Sequence, residues 1–327
     1  MQMGGVLTIA QLDPFLRDLD LSLEGLFYPL GFPLRLATNS QEVLAAAAES
    51  WGAYAPEFDV QPVSLRVVRE PGEEQAIEPS YRQQGSLFSI VSDRSNFAVM
   101  DFQTLTGFAF ASQNTLRDPA CWRWFFLEAL VYSALEQRYI AAMHTACVAR
   151  DGVGVLLCGP SGAGKSTLAF ACARAGWTFV SDEAVHVLLN ERDRSVVGKP
   201  HQARFREDAA RRFPELQPYP AHKRPNGKLT VEVPLHEIPQ IRTALRCRVG
   251  TVVLLDRRPG QTARLVSISP QDAGDALMRE KPFYGPELWA RHEHAIRGLT
   301  EAPVYRLEYD DLEQAVQLLC TLPRNAM

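Results

Sequence analysis

Hydrophobic and polar positions follow two different periods in the middle of the chain. Residues 153–157 form a short continuous apolar run, which is typical of a buried β-strand. Beyond a glycine-rich segment, apolar residues recur at helical spacing, namely Leu168, Ala169, Cys172 and Ala173. Gly176 is the expected C-terminal cap of this helix, and residues 177–180 predict a second strand. The pattern therefore predicts strand, glycine loop, helix and strand in direct succession.

The first part of the chain shows a mixed α/β pattern. Its predicted strands are 34–37, 64–69, 85–91, 96–102 and 107–111. Asn39 or Ser40 is expected to cap an alanine-rich helix that ends near Trp51. These elements predict a small α/β or meander-like module.

An aromatic-rich helix is predicted at the end of this module. Asp118 with Pro119 is a strong helix start, an N-cap followed by proline at the first helical position. The predicted helix, 121–138, is either buried between two modules or presents a surface to a partner. We place the domain join at its end. The division is an N-terminal α/β module, 1–138, with an expected role in substrate or partner recognition, and a second domain, 139–327.

The second half of the chain is polar at first and then regular. Residues 199–225 are basic and interrupted by prolines, which predicts a loop. Later strands are predicted at 228–233, 249–255, 264–268 and 304–307, and later helices begin near Ser269, Pro286 and Asp310 or Asp311. His292 and His294 are expected on the surface of their helix. These segments complete a sheet that is flanked by helices.

The glycine-rich segment, GPSGAGKS at 159–166, matches the phosphate-binding loop pattern G-x-x-x-x-G-K-[ST] at each fixed position. Its glycines let the chain curl so that backbone N–H groups and the helix N-terminus converge on phosphate oxygens. Lys165 is expected to reach the β- and γ-phosphates, and the Ser166 hydroxyl to bind Mg²⁺. The predicted nucleotide-binding residues are Gly159, Ser161, Gly162, Ala163, Gly164, Lys165, Ser166 and Thr167.

Two acidic residues follow the second predicted strand, one helix after this loop. Asp182 and Glu183 lie at a strand end, where a carboxylate can sit beside Mg²⁺ or an attacking hydroxyl. Asp256 is a rival because it also ends an apolar strand, although the two arginines after it fit a charged strand terminus equally well. We favour Asp182, and we predict Ser166, Asp182 and Glu183 as the metal ligands.

One histidine precedes the loop. His144 falls on a strand predicted at 143–148. A single histidine on an apolar strand is more often a core residue with satisfied hydrogen bonds than a functional group. The residue type and its place on a strand therefore do not decide whether His144 is a core residue or a functional group.

Three features in fixed order resemble the HPr kinase/phosphorylase family and its HPr-kinase-related members: His144, the loop GPSGAGKS, and the pair Asp182 and Glu183. The family carries His-Gly, G-x-S-G-x-G-K-S and Ala-Asp-Asp at these places, and it shares its core with phosphoenolpyruvate carboxykinases. Here Thr145 replaces the glycine, Ser181 the alanine, and Glu183 the second aspartate. The family's Glu-Ile-Arg-Gly signature has no counterpart. The resemblance implies an α/β P-loop kinase core, and it does not extend to the phosphorylase activity or to HPr as substrate.

The resemblance also implies roles for the candidate catalytic residues. It favours a functional His144, which could hydrogen-bond the γ-phosphate or orient a catalytic carboxylate. Asp182 is expected to accept the proton of the incoming hydroxyl or to position the metal. Lys165 is expected to neutralise charge on the γ-phosphoryl group, and Glu183 to support the metal or His144.

The sequence therefore predicts a kinase that uses ATP and Mg²⁺ and transfers the γ-phosphoryl group to a hydroxyl, first of all a serine of a protein or peptide. Transfer needs cations near the phosphoryl group, so one of Arg204, Arg206 or Lys228 is expected to touch phosphate. Two alternatives stay open: a small-molecule hydroxyl such as a sugar, and a nucleotide-binding regulatory or scaffold protein without transfer activity. Phosphoenolpyruvate carboxykinase activity is not expected, because no transition-metal site with lysine and histidine can be assembled.

Composition narrows the class of protein further. The 327 residues carry a net charge of -4, with 46% hydrophobic and 22% charged residues, which are ordinary globular values without a basic footprint for nucleic acid. The most apolar helical stretch, 124–135, is too short to span a bilayer. The N-terminus lacks a signal-peptide pattern, and the six cysteines show no metal-binding or redox spacing. We expect a cytoplasmic protein, and a homo-oligomer stays open.

Overall fold

The computed structural model describes residues 21–191, 193–225, 227–279 and 286–323. The chain divides into two compact units, Met1–Arg138 and Tyr139–Met327. Both units are mixed α/β. Within the described residues, the first holds a seven-stranded sheet, and the second holds a ten-stranded and a three-stranded sheet. None of the described helices is long and apolar enough to cross a membrane.

The first unit is built on a mixed sheet. Its strands are β1 (Leu23–Phe27), β2 (Leu34–Thr38), β3 (Val63–Glu70), β4 (Ser80–Gln84), β5 (Leu87–Val91), β6 (Phe97–Asp101) and β7 (Thr106–Ser112). Its helices are α1 (Gln41–Trp51), α2 (Gln113–Leu116), α3 (Pro119–Trp122) and α4 (Glu128–Arg138), with a 3₁₀ turn at Pro29–Gly31 and a π-helical segment at Arg123–Leu127. The strand order is β1-β2-β3-β7-β6-β5-β4, and only β3 has parallel neighbours on both sides.

Alternation of side chains decides which face of this sheet is buried. Leu34, Leu36, Leu65 and Val67 point to the buried face and are at most 2% exposed. Strand β4 was not predicted, because all five of its residues are exposed and it therefore shows no apolar alternation. The predicted start of the aromatic helix is confirmed, since the Asp118 carboxylate accepts a 3.0 Å hydrogen bond from the Cys121 N–H. The helix itself is interrupted by the π-helical segment.

The second unit contains most of the strands. They are β8 (Ile140–Met143), β9 (Ala146–Arg150), β10 (Val153–Cys158), β11 (Thr178–Ser181), β12 (Val185–Leu188), β13 (Ser195–Val197), β14 (Gln202–Phe205), β15 (Ala221–Lys223), β16 (Leu229–Pro234), β17 (Arg242–Thr243), β18 (Arg246–Arg257), β19 (Arg264–Ser267) and β20 (Val304–Tyr309). The helices are α5 (Lys165–Arg174), α6 (Glu207–Ala210), α7 (Pro270–Arg279), α8 (Pro286–Gly298) and α9 (Leu312–Leu319), with 3₁₀ turns at Pro214–Leu216, Leu235–Glu237 and Leu299–Glu301.

Three parallel strands define the edge of the large sheet at which the site lies. Strand β10 runs parallel to β18, and β18 runs parallel to β20. Because parallel strands end at the same edge of a sheet, the residues that follow Cys158 and Arg257 are brought to the level of Tyr309. Strands β14, β16 and β15 form the separate three-stranded sheet, with β16 in the middle.

The predicted strand–loop–helix succession is confirmed as secondary structure. Strand β10 enters the glycine-rich loop, and α5 begins at Lys165. At its far end the Gly176 N–H donates to the Ala173 carbonyl at 3.0 Å, and the Trp177 N–H donates to the Cys172 carbonyl at 3.1 Å. These two bonds, with a φ of 91° at Gly176, form a Schellman cap.

The strand predicted across His144 is wrong at that residue. His144 is exposed and lies between β8 and β9. Strand β8 pairs with β12, whereas β9 lies between β10 and β11, so the chain crosses from one part of the sheet to another here. Only two polar residues, His144 and Thr145, separate the apolar residues of the two strands, and because both strands are buried the sequence pattern conceals this crossing.

Two further expectations are corrected. The basic segment 199–225 is not simply a loop, since it contains β14, α6 and β15. The one charged side chain of β14, Arg204, hides the strand character of this segment, because ion pairs with Glu183 and Glu232 satisfy it in place of solvent. His292 is fully buried and not on the surface, whereas His294 is exposed as predicted.

Candidate functional site

A cavity of about 700 Å³ in the second unit is lined by most of the residues that the sequence selects. Those residues are Ser161, Gly162, Gly164, Lys165, Ser166, Thr167, His144, Asp182 and Glu183. Basic residues prevail in the rest of the lining, which includes Arg204, Arg206, Arg211, Arg212, Arg224, Lys228 and Arg257. The cavity is therefore basic, although the chain as a whole carries a net charge of -4. Such a lining suits an anionic ligand.

The loop between β10 and α5 owes its curl to glycine. Gly159, Gly162 and Gly164 have φ values of 152°, 91° and 94°, a region that other residues adopt only with strain. A β-carbon at Gly164 would lie 2.8 Å from the Tyr309 hydroxyl oxygen. That hydroxyl donates a 3.2 Å hydrogen bond to the Ala163 carbonyl. Glycine at 164 is therefore required by both its φ and the close approach of Tyr309.

The lysine of the loop is drawn back over it. Lys165 is only 6% exposed, although it lines the cavity. Its Nζ donates to the Gly159 carbonyl at 2.5 Å and to the Pro160 carbonyl at 3.3 Å. The ammonium group thus lies beside the loop, next to the N-terminus of α5. Two carbonyl oxygens hold it there, in positions that phosphate oxygens can take over.

Asp182 is buried at the cavity wall and is 4% exposed. Its Oδ2 accepts a 2.8 Å hydrogen bond from the Arg204 N–H, and its backbone carbonyl accepts a 3.4 Å bond from the Ser166 hydroxyl. Burial raises the pKa of this carboxyl to about 7, with a smaller contribution from the nearby charge of Glu183, while the Arg204 N–H works in the opposite direction. The carboxyl is therefore poised to exchange a proton near neutral pH.

Glu183 belongs to a closed set of four charged side chains, which we call the ion-pair ring: Glu183, Arg204, Glu232 and Arg224. Arg204 binds Glu183 with a terminal nitrogen and binds Glu232 with its Nε at 2.9 Å. Arg224 Nη1 lies 3.0 Å from Oε1 of Glu183, and Arg224 Nε lies 3.7 Å from Oε1 of Glu232. Burial alone would raise the pKa of Glu183, but the charges of Arg204, Arg224 and Lys199 outweigh it and lower the pKa to about 2.

The remaining predicted residues fall at different distances from the loop. Arg206 is the closest of the predicted phosphate-binding cations, and its guanidinium donates a 3.2 Å bond to the Ser161 hydroxyl. Arg204 and Lys228 also line the cavity, so a phosphate contact of any of the three stays a prediction. The rival acid Asp256 accepts hydrogen bonds from Arg258 and is not among the lining residues.

Sequence reasoning missed Glu232 and Tyr309 and gave Arg224 no individual role. A signal existed for Tyr309: it lies two residues after the predicted strand 304–307 and ends β20 in the structure, and a strand parallel to β18 must end at the edge where the loop lies. No local signal existed for Glu232. Its partners Arg204 and Arg224 come from other parts of the chain, and only the pairing of β14 with β16 sets Glu232 opposite Arg204.

The residues at the wall fit a magnesium ion that is shared with phosphates. Ser166 offers a hydroxyl and Asp182 a carboxylate, which are the oxygen ligands that Mg²⁺ prefers, and the bond from the Ser166 hydroxyl to the Asp182 backbone carbonyl keeps the two residues adjacent. Within the described residues, no group of three or more His, Cys, Asp or Glu could hold a metal by itself. Mg²⁺ commonly takes its remaining ligands from water and substrate phosphates. Both oxygens of Glu183 face arginines, and its role as a ligand stays a prediction.

Part of this chain is similar to solved structures, whereas no protein-family model and no curated protein sequence matches it. Among solved structures, the Hpr(Ser) kinase/phosphatase from Coxiella burnetii is similar to it with 11% sequence identity and a TM-score of 0.28. The match covers 55% of this chain and 88% of that chain. At this TM-score the likeness establishes neither a shared fold nor a shared activity.

Proposed function

We propose that the second unit is a phosphotransferase that uses ATP and Mg²⁺ and phosphorylates a hydroxyl group. The contact between Ser166 and Asp182 carries this proposal. The Ser166 hydroxyl, in the first turn of the helix after the glycine loop, donates to the backbone carbonyl of Asp182, and the buried Asp182 carboxylate lies at the same cavity wall. A phosphate-binding loop and an acid that faces it are the two parts that transfer to a hydroxyl requires.

The chain's own groups account for binding and orientation. N–H groups of the loop and of the first turn of α5 would donate to phosphate oxygens, helped by the helix dipole. Lys165 would exchange the Gly159 and Pro160 carbonyls for phosphate oxygens of a bound nucleotide. When bound, Mg²⁺ supplies positive charge that offsets the charge on the phosphates. Ser166 and Asp182 would hold it.

Asp182 would orient the acceptor and take its proton. An incoming hydroxyl that hydrogen-bonds this carboxylate has its oxygen held toward the phosphates. Its proton has an acceptor as the new P–O bond forms, while the bond from the γ-phosphorus to the bridging oxygen breaks and ADP leaves. The charge of a bound Mg²⁺ lowers the pKa of a neighbouring carboxylate, so orientation of the hydroxyl is the main contribution proposed for Asp182. His144 is exposed at the same cavity and can approach either the phosphates or the acceptor.

The acceptor class is proposed from the resemblance in the sequence. HPr-kinase-related enzymes act on serine, so a serine of a protein or peptide is the first choice, and a sugar hydroxyl is the second. Exposed arginines contribute to the lining of the cavity. The lining by itself does not distinguish a serine acceptor from a sugar acceptor. The first unit is the proposed place for recognition of the partner.

The test follows labelled γ-phosphate from ATP into serine-containing proteins and peptides and into sugars, with and without Mg²⁺. Lys165→Ala is compared with Lys223→Ala, an exposed lysine outside the cavity lining. Asp182→Asn is compared with Asp256→Asn, the rival strand-end acid. We expect transfer to be lost in the first member of each pair only. Tight ATP binding with no effect of Asp182→Asn would instead identify a nucleotide-binding regulator.

A further inference from the structure

Glu232 is the member of the ion-pair ring that lies behind the cavity wall. It is half-buried on β16 and is not among the cavity-lining residues, whereas its three partners in the ring are. Its Oε1 faces Arg204 Nε at 2.9 Å and Arg224 Nε at 3.7 Å. Arg204 and Arg224, which both line the cavity, thus share one carboxylate oxygen of Glu232.

The other oxygen of Glu232 is anchored to the neighbouring strands. Its Oε2 accepts a 3.0 Å hydrogen bond from Gln202 Nε2 and lies 3.3 Å from His222 Nε2. Gln202 belongs to β14 and His222 to β15, the two neighbours of β16. Glu232 also stands directly opposite Arg204 in the β14–β16 register. The sheet therefore fixes this carboxylate from both sides.

The positive and negative charges of the ion-pair ring are equal in number. Two guanidinium groups face two carboxylates, so the ring carries no net charge. Arg224 is 8% exposed, and a buried guanidinium that loses a carboxylate partner is drawn toward another anion. At this wall, the anions next to the two arginines are then Glu183, Asp182 when it is ionised, and any phosphate that the cavity holds. Glu232 is thus the group that sets how far the two arginines extend into the cavity.

We propose that Glu232 is a positioning residue, which holds Arg204 and Arg224 in the geometry that phosphoryl transfer requires without touching the nucleotide itself. The inference rests on the proposed function and assigns a role in it to a residue outside the cavity. Replacement of Glu232 by glutamine leaves an excess positive charge at the wall and frees the arginines to follow the phosphates. Binding of nucleotide and transfer then change in opposite directions.

The experiment measures the Kd of a non-hydrolysable ATP analogue with Mg²⁺ by calorimetry and measures kcat for transfer. In Glu232→Gln we expect the Kd to fall several-fold, because of the added positive charge, and kcat to fall about a hundredfold, because the arginines are misplaced. Glu232→Asp keeps the charge and shortens the side chain, so its Kd stays near that of the wild type while kcat falls. Glu237→Gln is the control. Glu237 lies in the 3₁₀ turn just after β16, and its exposed carboxylate accepts a hydrogen bond from the Tyr219 hydroxyl. This variant should change neither the Kd nor kcat.

The outcomes separate the possible failures. A wild-type protein that neither binds nucleotide nor transfers phosphate contradicts the proposed function, and the role of Glu232 in transfer with it. An active wild type whose kcat is unchanged in Glu232→Gln overturns the positioning role alone. Weaker binding and slower transfer together, with a matching loss of thermal stability, would show that Glu232 only maintains the fold.

Discussion

The backbone N–H of Arg204 donates a 2.8 Å hydrogen bond to Oδ2 of Asp182. This bond ties β14 of the small sheet to the acid that follows β11 of the large one. The same residue sends its guanidinium to Glu183 and Glu232. Arg204 therefore holds both members of the acidic pair, Asp182 through its backbone and Glu183 through its side chain, and it gives them different environments.

Asp182→Asn is expected to stabilise the protein in alkaline solution. The pKa of Asp182 is raised from 3.8 to about 7, so its stabilising contribution is complete below pH 3.8 and is lost as the pH rises through 7. Asparagine cannot ionise. The free energy of unfolding of Asp182→Asn should therefore exceed that of the wild type by up to about 4 kcal/mol at pH 8.5 and by little at pH 4.

Urea unfolding at the two pH values measures this difference. Asp256→Asn is the control, because Asp256 is paired with Arg258 at the surface and its loss should change stability by less than about 1 kcal/mol at either pH. A stability difference between Asp182→Asn and the wild type that does not vary with pH would contradict the burial argument.

Glu183→Gln is expected to destabilise the protein at neutral pH. The change leaves Arg204 and Arg224 facing one carboxylate fewer, and Arg224 is buried, so we expect a loss of about 2 kcal/mol at pH 7. The pKa of Glu183 is lowered from 4.5 to about 2, so the stabilisation is present above pH 4.5 and is lost as the pH falls through 2.

Chemical unfolding at pH 7 and near pH 2 tests this prediction. Glu207→Gln removes an exposed carboxylate that pairs with Arg211 one helical turn away, and it should cost no more than about 0.5 kcal/mol. If both glutamine variants lose the same stability at pH 7, the ion-pair ring contributes no more than an ordinary surface pair.

Gly164→Ala is expected to disrupt the loop more than the same change at another left-handed glycine. Gly164 and Gly152 both have positive φ, but a β-carbon at Gly152 meets nothing within 4 Å, whereas one at Gly164 meets the Tyr309 hydroxyl. Gly152→Ala should therefore cost about 1 kcal/mol for its backbone alone, and Gly164→Ala clearly more. Nucleotide binding should weaken only in Gly164→Ala.

Tyr309→Phe tests whether the contact with the Tyr309 hydroxyl causes the loss of stability in Gly164→Ala. It removes the oxygen that lies 2.8 Å from the added β-carbon, so the double variant Gly164→Ala/Tyr309→Phe should recover part of the lost stability. Thermal unfolding and the Kd of an ATP analogue are the two measurements. No recovery in the double variant would assign the whole loss to backbone strain at Gly164.

Features that depend on neighbours in sequence were predictable. The loop from Gly159 to Ser166 and the caps at Asp118 and Gly176 involve atoms only a few residues apart, so the residue types themselves determine the geometry. The Asp311 cap of α9 belongs to the same class, since its carboxylate accepts from the Gln314 N–H at 2.8 Å.

Strand character was predictable where one face of the strand is buried and the other is not, or where a short apolar run is buried on both faces, as in β10. Strand β4, exposed along its whole length, gave no alternation. At the crossing only His144 and Thr145 interrupt the apolar residues, because the strands on both sides are buried in the same sheet. In these two places the pattern of apolar residues carries no information about pairing.

By itself, the sequence determined the glycine loop, the helix after it and the acid pair at the end of the next strand, because each depends on local backbone geometry. Only the tertiary structure decided that Arg204, Arg224 and Glu232 close a ring around Glu183, and that Tyr309 supports the loop at Ala163. These contacts join strands far apart in the chain. Their partners are selected by sheet register and by the cost of burying a charge without a counter-charge, and neither is written in a local stretch of residues.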